Sequence, residues 1–423
     1  MLAHARRVQA EAARAVIGVD AGKFSHTLVV RPKGGADSKP IAFPVSRTGF
    51  DAAAAVIRVN SGGASPESCL VAIEFAGTFA FTLAHYLHGL GYPVVSVLPA
   101  HTKRWKEVTH HQPLKTDAKD AAGIVDLAAH GHFVGFPFLA PAYAELRYLA
   151  TSRARLVDAQ RIALTRIRSL LHVVFPEFEQ HFGRFTHRTP LAVLTAFPSP
   201  QALLAAPARQ LAVILRRASH GQCGAAIAQA LRTAAATTIG LPQAQTTLRQ
   251  ELPMLIAQYT LYTQQRQAIE AAIAAVLAPL PEAEALLSIP LVAPVTAGIF
   301  LGAIGDPQAY HSSREVLSLA GLSLIERSSG IVQGRKRISK RGRPLLRAAM
   351  YMLAVRSIRT GGLFRAEYDA LCQRNGGQRL KAVVAVSRSA LKLLFSIARD
   401  RRPFTLAPPG PTTSRPLPGS DAA

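Results

Sequence analysis

The stretch Val16-Ile17-Gly18-Val19-Asp20-Ala21-Gly22-Lys23 decides how the first third of the chain is read. Val16 to Asp20 is an apolar run closed by one carboxylate. Ala21-Gly22-Lys23 turns, and Thr27-Leu28-Val29-Val30 resumes the apolar pattern, so two strands joined by a short turn are expected. Working outward, Cys69 to Phe75 reads as a third strand, Phe79 to Leu90 as a helix, and Val94 to Leu98 as a strand after Gly91-Tyr92-Pro93. Strands interleaved with helices in this way predict a mixed α/β sheet.

From Ala142 the period changes. Leu146, Leu149, Leu156, Ala163, Ile167, Leu170 and Val174 fall at helical spacing, and a second series runs from Thr246 to Leu277. Together they predict an antiparallel helical pair or coiled coil. Residues 190–245, rich in Ala, Leu and Gln, carry no functional reading. Residues 285–305 hold no charge, long enough for a membrane span, but Pro290, Pro294, Gly298, Gly302 and Gly305 argue against one. Pro290 to Ile299 outlines two helices and a tight turn, either a backbone-gripping helical hairpin or a buried one. The chain divides into an N-terminal tail (1–15), an α/β domain (16–135), a helical coiled-coil region (142–284), a mostly helical C-terminal domain (285–402) and a disordered tail (403–423) with six prolines.

Of the 423 residues, 49% are hydrophobic and 17% charged, which excludes a largely disordered chain. A formal charge of +24 makes nucleic acid the first partner to consider. The basicity is uneven: residues 16–130 hold 11 Lys and Arg against 9 acids, residues 321–402 hold 19 against 4. Three dispersed cysteines give no disulfide framework, and the Arg- and His-bearing N-terminus has no apolar core of a secretory signal, so a cytoplasmic location is expected.

Two constellations could carry chemistry. Asp20 ends the first strand, Glu74 lies near the end of the third, and Asp117 and Asp120 stand three apart on one face of a helix. Singly, each has an ordinary reading: a strand-end cap, a partner for Lys23 or Lys115, a helix N-cap. Converging, they would repel one another and call for hard divalent cations such as Mg²⁺, two of which, about 4 Å apart, suit phosphodiester displacement. The second constellation is Ser328-Ser329-Gly330 followed by a strip of eight cations: Arg327, Arg335, Lys336, Arg337, Lys340, Arg341, Arg343 and Arg347. Such a strip neutralises phosphates without reading sequence, and a neighbouring serine hydroxyl either attacks phosphorus or is an ordinary loop serine. His110-His111 and the other histidines show no metal-ligand spacing.

Ile17 to Lys23, Ala72-Ile73-Glu74 and Lys115-Thr116-Asp117-Ala118-Lys119-Asp120-Ala121 resemble the RuvC-like DEDD motif set of insertion-sequence transposases that pair this domain with a C-terminal serine domain, the RNA-guided bridge recombinases. Leu286 to Asp306, Ala320-Gly321-Leu322, Ser328-Ser329-Gly330 and Ile338 to Arg347 resemble the second domain. Leu291-Val292-Ala293-Pro294 departs from that family's glycine-rich P-G-x-G turn. The resemblance covers about residues 16 to 400. It implies an RNase-H-like domain, a coiled-coil linker and a helical serine domain. It also implies Mg²⁺ at Asp20, Glu74, Asp117 and Asp120, Ser329 as nucleophile, and a homo-oligomer, dimer or tetramer, whose active sites combine groups from different subunits. The implied partners are the DNA of element ends and target and a noncoding guide RNA, in a bacterial, nucleoid-associated setting. Three other readings compete: a RuvC-like nuclease using water, with Ser329 a bystander; a sugar-kinase-like ATPase, from the Asp20-Ala21-Gly22-Lys23 turn; and a non-enzymatic nucleic-acid scaffold.

Overall fold

The computed structural model describes residues 2–74, 77–109, 117–136, 138–183, 188–241, 245–326 and 337–405, and the chain falls into two compact units meeting at Phe138 and Leu139. Ser328, Ser329, Arg327, Arg335, Lys336, Lys115, the His110-His111 pair and the tail beyond residue 405 lie outside the described residues.

In the first unit β1 (Ala15–Ala21), β2 (Ser25–Pro32), β3 (Ile41–Pro44), β4 (Cys69–Glu74), β5 (Val94–Val97) and β6 (Val134–Gly135) form one sheet in the order β3-β2-β1-β4-β5-β6. β1, β4 and β5 run parallel, while β2, β3 and β6 are antiparallel to their neighbours. This mixed sheet is consistent with an RNase-H-like domain. Both faces are covered, which is why β1 and β4 read as unbroken apolar runs. Ile17, Val19, Val71 and Ile73 pack on one face with Phe50, Ile57, Leu83 and Leu87, from helices Arg47–Asn60 and Ala80–Gly89. Val16, Leu70, Ala72 and Val95 pack on the other with Ala121, Ile124 and Val125 of helix Asp117–Ala129. The N-terminal residues, read from sequence as a tail, form a helix (Leu2–Ala12) whose Ala10 is buried in this second layer.

In the second unit the two periodic stretches are helices Pro141–Val174 and Gln245–Leu277. Arg153 Nε donates to Glu270 Oε1 and Gln160 Nε2 to Thr263 Oγ1, both at 2.7 Å, so seven residues forward on one helix match seven back on the other: the pair is antiparallel. Between them, helices Arg188–Ala196, Pro200–Ala205, Ala208–Ala218 and Ala225–Ala236 enclose a core of their own around Phe178, Val193, Leu211, Leu215 and Leu231, closed by Ile167, Leu171 and Leu252 from the long helices.

The rest of the unit is helical: Ala283–Leu287, Pro294–Ile304, Ser313–Leu319, Pro344–Arg359, Arg365–Arg374 and Arg379–Asp400, with a short hairpin of β7 (Leu324–Ile325) and β8 (Arg337–Ile338). The uncharged stretch forms two helices whose second is buried, while Leu287, Ser288 and Pro290 ahead of it are exposed. Pro294–Ile304 is enclosed from Ala297 onward by Tyr143, Ile273, Met350 and Leu394. Leu291 stands in the turn at φ +69°, a left-handed conformation that glycine adopts at no steric cost, where the resembled family carries its glycine-rich turn. Among the described residues no helix is long and apolar enough to cross a membrane.

Candidate active site

Asp20 is placed by strand alternation and by a missing side chain. Val16, Gly18 and Asp20 face the helix Asp117–Ala129, and Gly18 lets that helix approach: a Cβ built there would lie 2.4 Å from the Ala121 carbonyl oxygen and 2.7 Å from Val125 Cγ2. The parallel register sets Val19 opposite Ile73, so Asp20 and Glu74, one residue on, end adjacent strands side by side. The helix meets these strand ends with its first turn, which carries Asp117, exposed, and Asp120, 7% exposed. At its far end Arg31 of β2 holds it, through Asp126 Oδ1 at 2.8 Å.

Electrostatics ties the four acids together. The Asp20 carboxyl is pushed up from its ordinary 3.8 to about 6, first by burial, then by the negative charges of Asp120, Asp117 and Glu74, with Lys106 opposing. Two side chains not singled out in the sequence complete the arrangement, both from helix Pro99–Thr109. Thr102 Oγ1 donates to Glu74 Oε1 at 2.7 Å, and Lys106 Nζ lies 2.7 Å from Asp120 Oδ1. They are four apart, hence on one helical face. That face is pressed onto the neighbouring helix by Trp105, the single tryptophan, whose ring occupies the space over Gly123, 2.6 Å from where a Cβ would be. A helical Thr-x-x-Trp-Lys spacing is the signal that could have found them. Glu74 is thus held by a hydroxyl. Among the described residues, no three His, Cys, Asp or Glu groups are drawn close enough together to hold a metal ion.

The cationic strip divides. Arg337, Lys340 and Arg341 are exposed, on and just after β8. Arg343 and Arg347 turn inward. Arg343 donates to the Ala303 carbonyl, and Arg347 Nη1 to the Ala320 carbonyl at 2.9 Å. Arg343 shares its task with Arg147, whose Nε donates to the Gly302 carbonyl at 2.8 Å, while the Tyr310 hydroxyl donates to Ile304 O at 2.7 Å. Three donors therefore cap the C-terminal end of helix Pro294–Ile304, where the helix dipole is negative. Burial lowers both guanidiniums, and for Arg147, pushed down to about 10, the neighbouring Arg343 adds to the effect.

Known proteins resemble this chain over most of its length. Residues 17–176 match a DEDD-type family described as a transposase, and residues 283–369 match the family described as Transposase IS116/IS110/IS902. A protein of insertion element IS116 from Streptomyces clavuligerus is 27% identical over 395 residues, covering 93% of this chain and 96% of the relative. One of insertion element IS900 from Mycobacterium paratuberculosis is 31% identical over 298 residues, covering 68% and 72%. A pilin gene-inverting protein from Moraxella bovis is 30% identical over 125 residues, 29% of this chain and 38% of that protein. The chain belongs to the IS116/IS110/IS902 transposase family, and it is a DNA transposase.

Proposed function

We propose that this transposase cuts and exchanges DNA strands through a covalent link between Ser329 and a strand end. It acts as a homo-oligomer guided to element ends and target by a noncoding RNA, in the manner of the bridge recombinases. The observation that carries the reading is the effect of Glu74, Asp117 and Asp120 on Asp20 at the ends of β1 and β4, which leaves this acidic site short of positive charge. Hard oxygen donors of this kind fit Mg²⁺, and the ammonium of Lys106 resting on Asp120 is a cation already drawn to the same place. Asp20, Glu74, Asp117 and Asp120 would hold two such ions, which supply Lewis-acid stabilisation of phosphoryl oxygens and activation of a hydroxyl.

The remaining work belongs to the chain. Thr102 fixes the rotamer of Glu74, and Trp105 fixes the helix that carries Thr102. Ser329 loses its proton to solvent and its oxygen attacks phosphorus. The strand oxygen leaves, takes up a proton, and a phosphoserine ester remains. Attack on that ester by a hydroxyl of the exchanging strand restores Ser329 and seals the new junction. Exposed Arg337, Lys340 and Arg341, with Arg327, Arg335 and Lys336, bind the phosphates along this path, while Arg343 and Arg347 hold the loop's frame. A relative named for inverting a pilin gene is in keeping with strand exchange rather than simple cutting.

The test is a denaturing gel of protein incubated with labelled element-end DNA, guide RNA and Mg²⁺. Wild type should yield a denaturant-resistant protein–DNA adduct and Ser329→Ala none. Asp120→Asn should cut on the order of 1000-fold more slowly while binding DNA unchanged. Cutting by wild type without an adduct under trapping conditions, or recombination by Ser329→Ala, would sink the serine step. Cutting without an adduct would leave the water-using nuclease.

A further inference from the structure

The helical insertion between the two long helices has a charge pattern unlike the rest of the chain. From residue 180 to residue 250 there is no Asp or Glu and no Lys, yet seven arginines: Arg184, Arg188, Arg209, Arg216, Arg217, Arg232 and Arg249. Arg232 is committed to the fold, its Nη1 donating to the Leu203 carbonyl at 3.1 Å and to the Ala206 carbonyl. Arg188, Arg209, Arg216 and Arg217 are exposed, and no side-chain hydrogen bond or ion pair holds them among the described residues. Its acids are Glu177, which accepts from Thr238 and Ile239, and Glu179, paired with Arg168. A module with its own apolar core and this excess of arginine therefore repels itself unless a polyanion is bound to it.

The same module carries a cavity of about 660 Å³ between helices Arg188–Ala196 and Ala208–Ala218. Its floor is small and apolar, from Ala192, Ala196, Ala218 and Ile214, and its rim carries Arg188, Arg217 and His220. An apolar floor takes a flat ring, while guanidiniums at the rim take phosphate oxygens in bidentate fashion or stack on the ring itself. The size is in the range that admits a small organic group such as one nucleotide. A base in a duplex stays stacked on its neighbours, whereas a base in a single strand is free to enter.

We infer that the insertion is a second nucleic-acid site, and that the cavity walled by Arg188, Arg217 and His220 seats one nucleotide of a single strand. It rests on the chain acting on nucleic acid but on none of the chemistry of the carboxylates or of Ser329. The choice of arginine over lysine throughout the module follows, because a planar guanidinium both pairs with phosphate and covers a base. So does the run from residue 180 to residue 250 without Asp or Glu, which would oppose a strand approaching the rim.

Fluorescence anisotropy of the full-length protein tests this with labelled 20-nucleotide RNA, DNA of the same sequence, and the corresponding duplex, each over a range of salt. Arg188→Gln with Arg217→Gln should weaken single-strand binding about tenfold and reduce the slope of log affinity against log salt by about 1.4, as two phosphate contacts at about 0.7 each predict. Arg209→Gln with Arg216→Gln, the same charge change away from the cavity, should weaken it less than about threefold. The RNA and DNA arms tell which strand is seated. An unchanged affinity in the cavity variant, an equal loss in the control, or an equal loss on duplex would overturn the proposal. The readout is binding and needs no strand cleavage, so failure of the carboxylate or Ser329 reading leaves this result interpretable.

Discussion

Like charges gather at two places in this molecule, and the two clusters are settled in opposite ways. At the ends of β1 and β4, the charges of Glu74, Asp117 and Asp120 all reach Asp20, and among the described residues Lys106 sets its ammonium on Asp120 and Thr102 its hydroxyl on Glu74. At the end of helix Pro294–Ile304, two half-buried guanidiniums converge, Arg147 and Arg343, and the carbonyls of Gly302 and Ala303 accept from them. The arginines are satisfied by main chain that every helix C-terminus leaves unpaired, so they stabilise the fold. The carboxylates have no such sink, and their repulsion, added to burial, holds the Asp20 carboxyl up at about 6. Burial alone therefore does not separate structural from functional charge; what the group finds to bond does.

The largest way to break this contrast is to force the sheet and helix of the first unit apart. Gly18→Ala puts a methyl against the Ala121 carbonyl and should cost about 3 kcal/mol in urea unfolding. It should also let the Asp20 pKa, followed by carboxyl NMR, fall back toward its ordinary value as Asp120 moves away. Next comes the arginine cluster. Arg343→Met leaves the Ala303 carbonyl with only the longer bond from Arg147 Nη2, 3.3 Å, and should lose about 2 kcal/mol. Because Arg147 and Arg343 repel, each single variant also relieves that repulsion, so a cycle with Arg147→Met should show the double variant losing more than the sum. A stabilised Arg343→Met would erase the distinction between the clusters.

The smallest effect has the opposite sign. Asp20 titrates near 6 when folded and near 3.8 when not, so between those values the folded protein holds a proton the unfolded chain has released. Stability from this group is therefore greatest below about pH 4, declines as pH rises to about 6, and is flat above. Asp20→Asn removes the decline. With chelator present it should be more stable than wild type at pH 8 by about 1 kcal/mol, allowing for screening at a half-exposed site, and equal to it at pH 4. Thermal melts at the two pH values read this directly, and a variant less stable than wild type at pH 8 would mean the carboxylates do not repel.

Much of this was legible beforehand because it rests on local pattern. The apolar runs ending in Asp20 and Glu74, and the helical periods over 146–174 and 246–277, needed no partner to be recognised. The short β3 and β6 were missed, since four and two residues carry no period of their own. Thr102 and Lys106 were missed for a different reason: their roles come from a helix that Trp105 orients against Gly123, a contact between residues 18 apart that no spacing rule records. The strip was read as eight equivalent cations because sequence shows charge and not direction. The carbonyls that claim Arg343 and Arg347 lie 40 and 27 residues away.

The antiparallel pairing of the two long helices has a metric consequence. Leu146 and Ile167 belong to different cores, and the 21 residues between them, rising about 1.5 Å each, hold those cores about 30 Å apart. The intervening seam is polar, with Arg153 meeting Glu270 and Gln160 meeting Thr263 across it, and Arg266 bonding Glu270 along its own helix. It can therefore be shortened or lengthened by a matched heptad on each helix without disturbing either core. Evolution can thus alter the span as a gauge while leaving both ends intact, and at its present setting that span is close to the roughly 34 Å of one turn of duplex DNA.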